Sequence, residues 1–312
     1  MTTSSLQEYR KHIRLMGSAF EFVVVAEETR ATEAIAIAIG EVQRIEKLLT
    51  EFSEDSCTSR INRAAGIQSV QVEEEVYAIL QRCKHLSMLT QGAFDITAGI
   101  LKKLYNFKGD NFSLPDKKVL EEAKQRTGFA KIDLQPDNRV YLSVPGMHIS
   151  FAAIGKGYAA DRAKSLLMQK GVNSGVINAS GDLTAWGTRA DGTPWKVGVA
   201  DPQEPSRVLA WIPVHNASVA TSGNYEQYFD KNGVRYSHNI DPKSGLPVTG
   251  IRSVTIVSPH AELSDALATA VTVMGAKVGI HFIEQLPGTH ALIIDDRNKI
   301  ITSRHLKLTM EP

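Results

Sequence analysis

The sequence predicts an α+β fold, because its helices and strands mix without the strict βαβ alternation of a doubly wound protein. Apolar residues recur at helical spacing in 29–52 and 73–89, whereas 195–257 consists of short β-type segments separated by Gly, Pro and Asp turns. The 312 residues are enough for one elaborate domain or two small ones. Since no internal repeat, linker or low-complexity tract divides the sequence, we expect a single domain over residues 1–312.

The N-terminal elements follow from composition and spacing. Residues 1–15 are expected to form a flexible or helical lead-in. A strand is predicted at 19–26, which is rich in Phe and Val. The segments 29–52 and 73–89 are predicted as amphipathic helices, and 53–62 as the loop between them.

The rest of the chain contains shorter elements. Residues 91–97 are predicted as loop or strand, and the polar, Gly-containing segment 106–115 as a surface loop. The other predicted elements are helices at 116–126, 155–170 and 261–274, and strands at 175–178, 289–294 and 299–302.

The balance of charge excludes one class of function. The chain carries 35 Lys and Arg against 34 Asp and Glu, so we expect no nucleic-acid partner. Its two cysteines, Cys57 and Cys83, lack paired spacing, which argues against a disulfide framework. The nine histidines show neither H-E-x-x-H nor Cys/His spacing, so zinc is not expected.

The hydropathy pattern bears on location. No apolar run approaches the roughly 20 residues that a membrane helix needs, so no stable membrane insertion is expected. Residues 1–14 are polar and charged, without an apolar signal segment or a cysteine for lipid attachment. We therefore expect a cytoplasmic protein, and export with the signal removed from the sequence is the alternative.

The predicted helix at 261–274 carries an acid and a hydroxyl among small apolar residues. Asp265 and Thr269 are four positions apart, so their oxygens lie on one face of the helix. Buried polar groups need partners, and Mg²⁺ is one candidate because it takes oxygen ligands and shares them with phosphates. The alternative is local: Asp265 caps or pairs nearby, and Thr269 bonds back to a backbone carbonyl.

Gly155, Lys156 and Gly157 open another predicted helix, where backbone N–H groups and the helix dipole favour an anion. With Ala160, the glycines fit the letters of the dinucleotide fingerprint G-x-G-x-x-A, but the flanking elements are not a βαβ series. The segment is not a P-loop either, because Ser150 stands where its first glycine belongs. An anion site and an ordinary glycine-rich helix start both stay open.

Two turn-rich segments combine acids with other functional side chains. Residues 178–182 place Asp182 on a sharp turn after a strand, which ordinary turn chemistry also explains. Residues 235–247 hold His238 and Asp241 near two cations. His238 is a candidate general base or phosphate contact, and a structural histidine at a strand end is the alternative.

Taken in order over nearly the whole chain, these motifs resemble those of the ApbE family of flavin transferases. Their common order carries the resemblance. The matching segments are M-G-S at 16–18, Phe52 with S-C-T-S-R-I-N at 56–62, G-A-F-D-I-T at 92–97, F-A-A-I-G-K-G-Y-A-A-D at 151–161, N-A-S-G-D at 178–182, A-T-S-G at 220–223, H-N-I-D-P-K-S-G-L-P at 238–247 and S-D-A-L-A-T-A at 264–270.

The resemblance implies a fold and an activity. The expected fold is T-fold-like, with mixed sheets flanked by helices. The expected enzyme binds FAD and Mg²⁺, transfers FMN to a threonine of a protein that carries a flavinylation-type motif, and releases AMP. Two other activities stay open: a Mg²⁺-dependent FAD pyrophosphatase, in which water replaces the threonine, and an FAD-binding protein without turnover.

The resemblance also implies residue roles. Asp265, Thr269 and the backbone carbonyl near Ala153 would hold Mg²⁺. His238 and Asp241 are the candidate bases for the threonine hydroxyl, and Lys156 would hold charge that develops in the transition state. The residues expected to contact FAD are Met16, Phe52, Ala93, Phe94, Asp95, Ser150, Lys156, Asn239 and Ile240.

Several residues depart from the family's pattern. Ser150 stands where the family usually has an aspartate, so a ribose or adenine contact is expected to differ. Ala152, Ala153 and Ser180 replace glycines, which is tolerated only where the backbone does not need positive φ. Phe52 stands where tyrosine is common, which keeps ring stacking and removes a hydroxyl.

Overall fold

The computed structural model describes residues 6–107, 113–204, 206–223, 228–231 and 234–311. It mixes helices with antiparallel sheets, so the α+β prediction is confirmed. The strands are β1 (Gln7–Leu15), β2 (Ser18–Ala26), β3 (Val70–Gln71), β4 (Ile132–Gln135), β5 (Arg139–Leu142), β6 (Gly175–Ala179), β7 (Asp182–Trp186), β8 (Trp195–Ala200), β9 (Val208–Val214), β10 (Ala217–Gly223), β11 (Tyr228–Lys231), β12 (Val234–Ser237), β13 (Ile251–Ser258), β14 (His290–Asp295), β15 (Ile300–Thr302) and β16 (Thr309–Met310). The helices are α1 (Glu28–Leu49), α2 (Cys57–Arg63), α3 (Glu74–Leu89), α4 (Gly99–Lys102), α5 (Lys117–Gln125), α6 (Gly155–Gln169), α7 (Ala261–Met274) and α8 (Ala276–Ile283).

An eight-stranded antiparallel sheet forms the centre of the protein, in the order β1-β2-β6-β7-β10-β13-β14-β15. Its first two strands pair over their full length, from Gln7 with Ala26 to Leu15 with Ser18. The two turn residues between them, Met16 and Gly17, have φ of 50° and 71°. Two positive φ values give a turn whose twist matches that of a hairpin. The M-G-S motif therefore folds as a β-turn.

Helices cover one face of this sheet, and a small sheet of β8, β9 and β16 lies on the other. The alternation along β2 separates the two cores. Phe20 and Phe22 pack with α1, α3 and α6, whereas Val23 packs with residues of β8 and β9. The helix α7 packs on β10 and β13. The helical layer thus brings the start of α6 and the middle of α7 to one end of the sheet.

Most predicted elements are confirmed, with ends that differ by a few residues. The long helices predicted at 29–52 and 73–89 are α1 and α3, and the helix predicted at 261–274 is α7. The strands predicted at 19–26 and 175–178 are β2 and β6. Long periodic patterns are the most reliable sequence signal, and these elements have them.

Other expectations were wrong. Residues 7–15 are not a flexible or helical lead-in but the strand β1, because Tyr9, Ile13 and Leu15 pack on the core at alternating positions. The expected loop at 53–62 contains α2, whose N-terminus is capped by the Ser56 hydroxyl accepting from Ser59 N–H at 3.0 Å.

Residues 91–97 form turns rather than a strand, and α8 was not predicted. Of the surface loop expected at 106–115, residues 108–112 lie outside the described residues.

The helices α6 and α7 cross at Gly157. A Cβ atom at this position would lie 2.3 Å from the carbonyl oxygen of Ala261, at the start of α7. Real Cβ atoms do not approach backbone atoms so closely, so only glycine permits this crossing. The second glycine of G-K-G, Gly157, is therefore required by helix packing.

We expect Gly157→Ala to destabilise the fold by roughly 1–3 kcal/mol or more, since α7 must move away from α6. The matched control is Gly40→Ala in α1, where an added Cβ meets nothing within 4 Å. That change should stabilise by about 0.5–1 kcal/mol, because alanine favours the helix. Urea unfolding of both variants checks the opposite signs. A Gly157→Ala protein as stable as the parent would contradict the packing argument.

Candidate active site

A cavity of about 630 Å³ opens where the end of α1, the start of α6 and the middle of α7 meet. Its lining is mixed, with cations, acids, hydroxyls and aromatic rings on the same surface. The lining residues are Glu51, Phe52, Asp95, Ile96, Ala98, Gly99, Lys102, Lys103, Tyr105, Asn106, Phe107, Ser150, Ala152, Ala153, Lys156, Ser180, Asp182, Thr221, Ser222, Gly223, His238, Asn239, Ile240, Asp265, Ala268 and Thr269. Of the predicted site residues, the structure brings Phe52, Asp95, Ser150, Ala153, Lys156, His238, Asn239, Ile240, Asp265 and Thr269 together here.

Asp265 and Thr269 lie on one face of α7, at the cavity. Asp265 is 7% exposed, and among the described residues its carboxylate accepts one hydrogen bond, from Gly157 N–H at 3.3 Å. Within the same part of the chain the Thr269 hydroxyl has no hydrogen-bond partner. Thr272, by contrast, donates to the carbonyl of Ala268 at 2.8 Å. Thr269 therefore does not bond back to a backbone carbonyl within the described residues, whereas Asp265 accepts from an N–H in the first turn of α6.

Lys156 and Asp182 form an ion pair beside Asp265. The pair joins the first turn of α6 to the first residue of β7. Burial raises the pKa of Asp265 well above its ordinary value, and the neighbouring charge of Asp182 raises it further. One ammonium thus faces two carboxylates at this end of the cavity.

The start of α7 is held by α6. The carboxylate of Asp161 accepts the N–H of Glu262 at 2.9 Å and also bonds the N–H of Ala261. The residue before α7 supplies no side-chain cap, so Asp161 is the N-cap of α7 from a neighbouring helix. Together with the bond from Gly157 to Asp265, this fixes α7 along its axis.

The side-chain oxygens that α7 presents to the cavity are of the kind that bind a hard divalent cation. Among the described residues, no cluster of three His, Cys, Asp or Glu side chains could hold a metal. Asp265 and Thr269 instead offer two oxygens on one helix face, and Ala153 lies on the same cavity wall. A set of few protein oxygens that leaves positions for substrate phosphates is typical of Mg²⁺ sites. A dication here would also offset the cost of ionising Asp265.

The segment carrying His238 is fixed by hydrogen bonds on both sides. Asn239 Nδ2 donates to Ser222 Oγ at 3.0 Å, and Val248 N–H donates to the Asn239 carbonyl at 2.9 Å. Ile240 is buried, which anchors the segment in a small core. His238 and Asn239 both line the cavity.

Asp241 is not among the cavity-lining residues. Its Oδ1 accepts from Lys243 N–H at 3.0 Å and its Oδ2 from Ser244 N–H at 3.3 Å. Both oxygens therefore serve the turn that follows. This geometry favours His238 over Asp241 as a proton acceptor in the cavity.

The G-A-F-D-I-T segment acts mainly as a scaffold. Asp95 Oδ1 accepts from Thr97 N–H at 2.8 Å, and its Oδ2 accepts from Phe129 N–H at 2.8 Å. Burial raises the pKa of Asp95, and these hydrogen bonds oppose that rise. Phe94 is 1% exposed and its ring packs in the main core, and its role toward FAD stays a prediction. Asp95 lines the cavity with a carboxylate that is already engaged.

Two other expected FAD contacts lie outside the cavity lining. Ala93 is half-buried and packs against the main core. Met16 packs against the same core. Its Cε lies 3.7 Å from the point where a Cβ atom added to Gly155 would lie. Both side chains pack on the main core, and their roles toward FAD stay predictions.

The replaced glycines differ in their backbone conformations. Ser180 has a φ of 58°, in the left-handed region that glycine prefers, whereas Ala152 and Ala153 do not have positive φ. Ser180 and Gly181 form the turn between β6 and β7, and Asn178 Oδ1 accepts the N–H of Gly181 at 2.9 Å. The two alanines are therefore compatible with their positions, and Ser180 is held with some strain.

Sequence patterns did not identify several cavity residues. Glu51, Lys102, Lys103 and Asn106 belong to no recognised motif, and their approach to the cavity depends on tertiary packing. Asp182 was identified as a turn residue and as part of the N-A-S-G-D segment, but nothing along the chain indicates its pairing with Lys156, 26 positions earlier.

A family model described as the ApbE family matches residues 16–293. The chain belongs to the ApbE family. A FAD:protein FMN transferase of Treponema pallidum is 32% identical, over 93% of this chain and 85% of that protein. A FAD:protein FMN transferase of Klebsiella pneumoniae is 30% identical, over 96% of this chain and 92% of that protein.

Solved ApbE structures share the fold. An ApbE protein of Thermotoga maritima superposes with a TM-score of 0.87 at 33% identity, over 96% of this chain and 97% of that one. The apo form of the Pseudomonas stutzeri flavinyl transferase ApbE gives 0.84 at 26% identity, over 97% of both chains. The ApbE-like fold expected from the motifs is confirmed. In the described ranges, every helix is too short or too polar to span a bilayer.

We expect Asp161→Ala to destabilise the protein by about 1–2 kcal/mol, because the first N–H groups of α7 lose their acceptor. Asp161→Asn retains an acceptor oxygen and should lose less. Urea unfolding in EDTA measures both free energies of unfolding. Equal losses for the two variants would show that the cap is not what Asp161 contributes.

Proposed function

We propose that this member of the ApbE family transfers FMN from FAD to a threonine hydroxyl of an acceptor protein, in a Mg²⁺-dependent reaction that releases AMP. The observation that carries the proposal is the pair of Asp265 and Thr269, presented to the cavity next to Lys156 and Asp182. The names of the curated relatives support flavin transfer onto protein. The Mg²⁺ and the threonine rest on the site chemistry and the family's motifs.

The charges at this end of the cavity suit such a substrate. Lys156 compensates one of the two carboxylates, so the three groups sum to one negative charge when Asp265 is ionised. A divalent cation would reverse that sum to one positive charge. The pyrophosphate of FAD is a dianion, and phosphoryl transfer depends chiefly on positioning and on neutralising this charge. Bound Mg²⁺ would supply Lewis-acid stabilisation to the phosphate oxygens.

The protein's own groups account for the remaining steps. The threonine oxygen forms a bond to the FMN phosphorus, the bond from that phosphorus to the bridging oxygen breaks, and AMP leaves. The hydroxyl proton passes to a base, for which His238 is placed at the cavity wall. Lys156, at the N-terminus of α6, favours the negative charge that shifts to the leaving AMP.

Incubation with FAD, Mg²⁺ and an acceptor peptide tests the proposal. Mass spectrometry should show the peptide heavier by FMN, with AMP released in equal amount. A peptide with valine in place of the threonine is the control and should stay unmodified. Release of free FMN and AMP without peptide labelling would instead indicate a pyrophosphatase. Intact bound FAD would indicate a binding protein without turnover.

We expect Asp265→Asn to abolish Mg²⁺-dependent turnover while raising the melting temperature of the EDTA-treated protein. The amide removes a buried anion, which stabilises the metal-free fold, but it is a poor ligand for Mg²⁺. Thermal melts with and without Mg²⁺, beside the transfer assay, measure both effects. Turnover that survives the change would remove the metal assignment.

A matched pair of threonine variants isolates the second proposed ligand. Thr269→Val should raise the Mg²⁺ concentration needed for half-maximal activity, because the variant lacks the hydroxyl. Thr272→Val, three residues along the same helix, removes only a bond to the Ala268 carbonyl and should leave that concentration unchanged. Metal titrations of the two activities decide the point. The same shift in both variants would mean that α7 packing, not ligation, is affected.

We expect His238→Ala to lower kcat by about 10²–10⁴-fold, as is typical for loss of a general base. Asp241→Asn should have a much smaller effect, since the turn keeps one acceptor oxygen. Single-turnover rates across pH compare the two variants. A larger loss in Asp241→Asn would reverse the assignment of the base.

A further inference from the structure

A cluster of charged side chains surrounds Glu51, which follows α1 and lines the cavity. His148 Nε2 lies 2.6 Å and Lys103 Nζ 3.2 Å from Glu51 Oε2. Ser150 Oγ donates to Glu51 Oε1 at 2.9 Å. The carboxylate is 18% exposed, so it is held firmly without being closed off.

The distances determine how the hydrogen bonds run. At 2.6 Å from a carboxylate oxygen, His148 Nε2 must carry a hydrogen, because a bare nitrogen would repel that oxygen. Lys103 donates to the same oxygen, so its 3.1 Å approach to His148 Nε2 is a contact between two donors. Oε2 is then fully used. Among the described residues, Oε1 accepts only from Ser150, which leaves it one acceptor position.

Ser150 has no proton left for a ligand. Its hydroxyl donates to Glu51, and its oxygen accepts from Ala152 N–H at 3.3 Å. The serine therefore orients the neighbouring carboxylate instead of replacing it. A carboxylate is present at this wall even though position 150 itself carries none.

The cluster also sets the charge of Glu51. The hydrogen bond from His148, helped by Ser150 and Lys103, lowers the pKa of Glu51 to about 2 against the effect of burial. The next residue, Phe52, is 93% exposed at the same cavity. An ionised acceptor beside a free aromatic face offers what a nucleoside needs: a ring to stack on, and an acceptor for a hydroxyl or N–H.

We propose that Glu51 accepts a hydrogen bond from a hydroxyl or N–H group in one nucleoside half of the bound dinucleotide. Ser150, His148 and Lys103 are positioning residues that hold its carboxylate. The inference rests on the proposed function, since it takes FAD as the ligand of the cavity. It assigns Glu51 as the residue that compensates for the aspartate absent at position 150.

Calorimetric titrations of the parent protein and Glu51→Gln with three ligands test this proposal. ADP and FMN probe the two nucleoside halves of the dinucleotide, and FAD is titrated in EDTA. Glutamine keeps the size of the side chain but loses the charge. We expect affinity for FAD and for one of the two probes to fall about tenfold, as for a lost hydrogen bond to a charged group. The other probe should bind as before, and the affected one identifies the half. The control, Glu54→Gln on the exposed loop after α1, should change none of these affinities.

Selectivity between the probes separates a lost contact from a damaged fold. Unchanged affinity for both probes in Glu51→Gln, or an equal loss for both, overturns the proposal. Ser150→Ala should weaken the same probe by less than Glu51→Gln does, and a larger loss would make the serine the contact. If the parent protein binds none of the three ligands, the proposed function fails as well. If the parent protein transfers FMN and Glu51→Gln binds FAD, ADP and FMN as the parent does, only the proposed role of Glu51 fails.

Discussion

The contact between α6 and α7 at Gly157 determines the geometry of the cavity floor, the end of the cavity lined by Lys156, Asp182 and Asp265. Gly157 lets the helices touch, and its N–H donates to Asp265 at 3.3 Å. One residue earlier, Lys156 pairs with Asp182, and one turn later Asp161 caps the start of α7. A single stretch of six residues thus sets a cation, a backbone donor and a helix cap. The face of α7 that carries Asp265 therefore cannot shift without disturbing the ammonium of Lys156, the N–H of Gly157 and the cap from Asp161.

The same floor carries an unbalanced charge. Protein interiors disfavour unpaired acids, and among the described residues the Asp265 carboxylate accepts one hydrogen bond, from Gly157 N–H at 3.3 Å, while the nearby Lys156 also pairs with Asp182. Buried polar groups with few partners occur most often at functional sites, where the stability of the rest of the fold compensates for their unfavourable free energy. The well-packed cores on both faces of the central sheet provide that support. A site of this kind gains stability when its ligand binds, because binding to the folded state alone shifts the unfolding equilibrium.

Periodicity and motif order predicted much of the architecture, including α1, α3, α6 and α7. They also placed Asp265, Thr269 and Lys156 in one site, because the spacing of the first two on a helix is a local property. The cluster around Glu51 could not be predicted, since it joins residues 97 and 99 positions away. The scaffold role of Asp95 was hidden for the same reason: its partner, Phe129, lies on a separate segment. Sequence patterns locate functional segments but do not show which of their side chains are free to act.

The strand β1 has a consequence for how the protein behaves in solution. It forms one edge of the central sheet, with backbone groups along one side that pair with no other strand of that sheet. Its exposed residues include Arg10, Lys11, His12 and Arg14. Arg10 is held to Glu21 by an ion pair at 3.0 Å, which keeps polar side chains along the edge. Charged edge strands oppose pairing with a second copy, so these side chains disfavour extension of the sheet by another chain at β1.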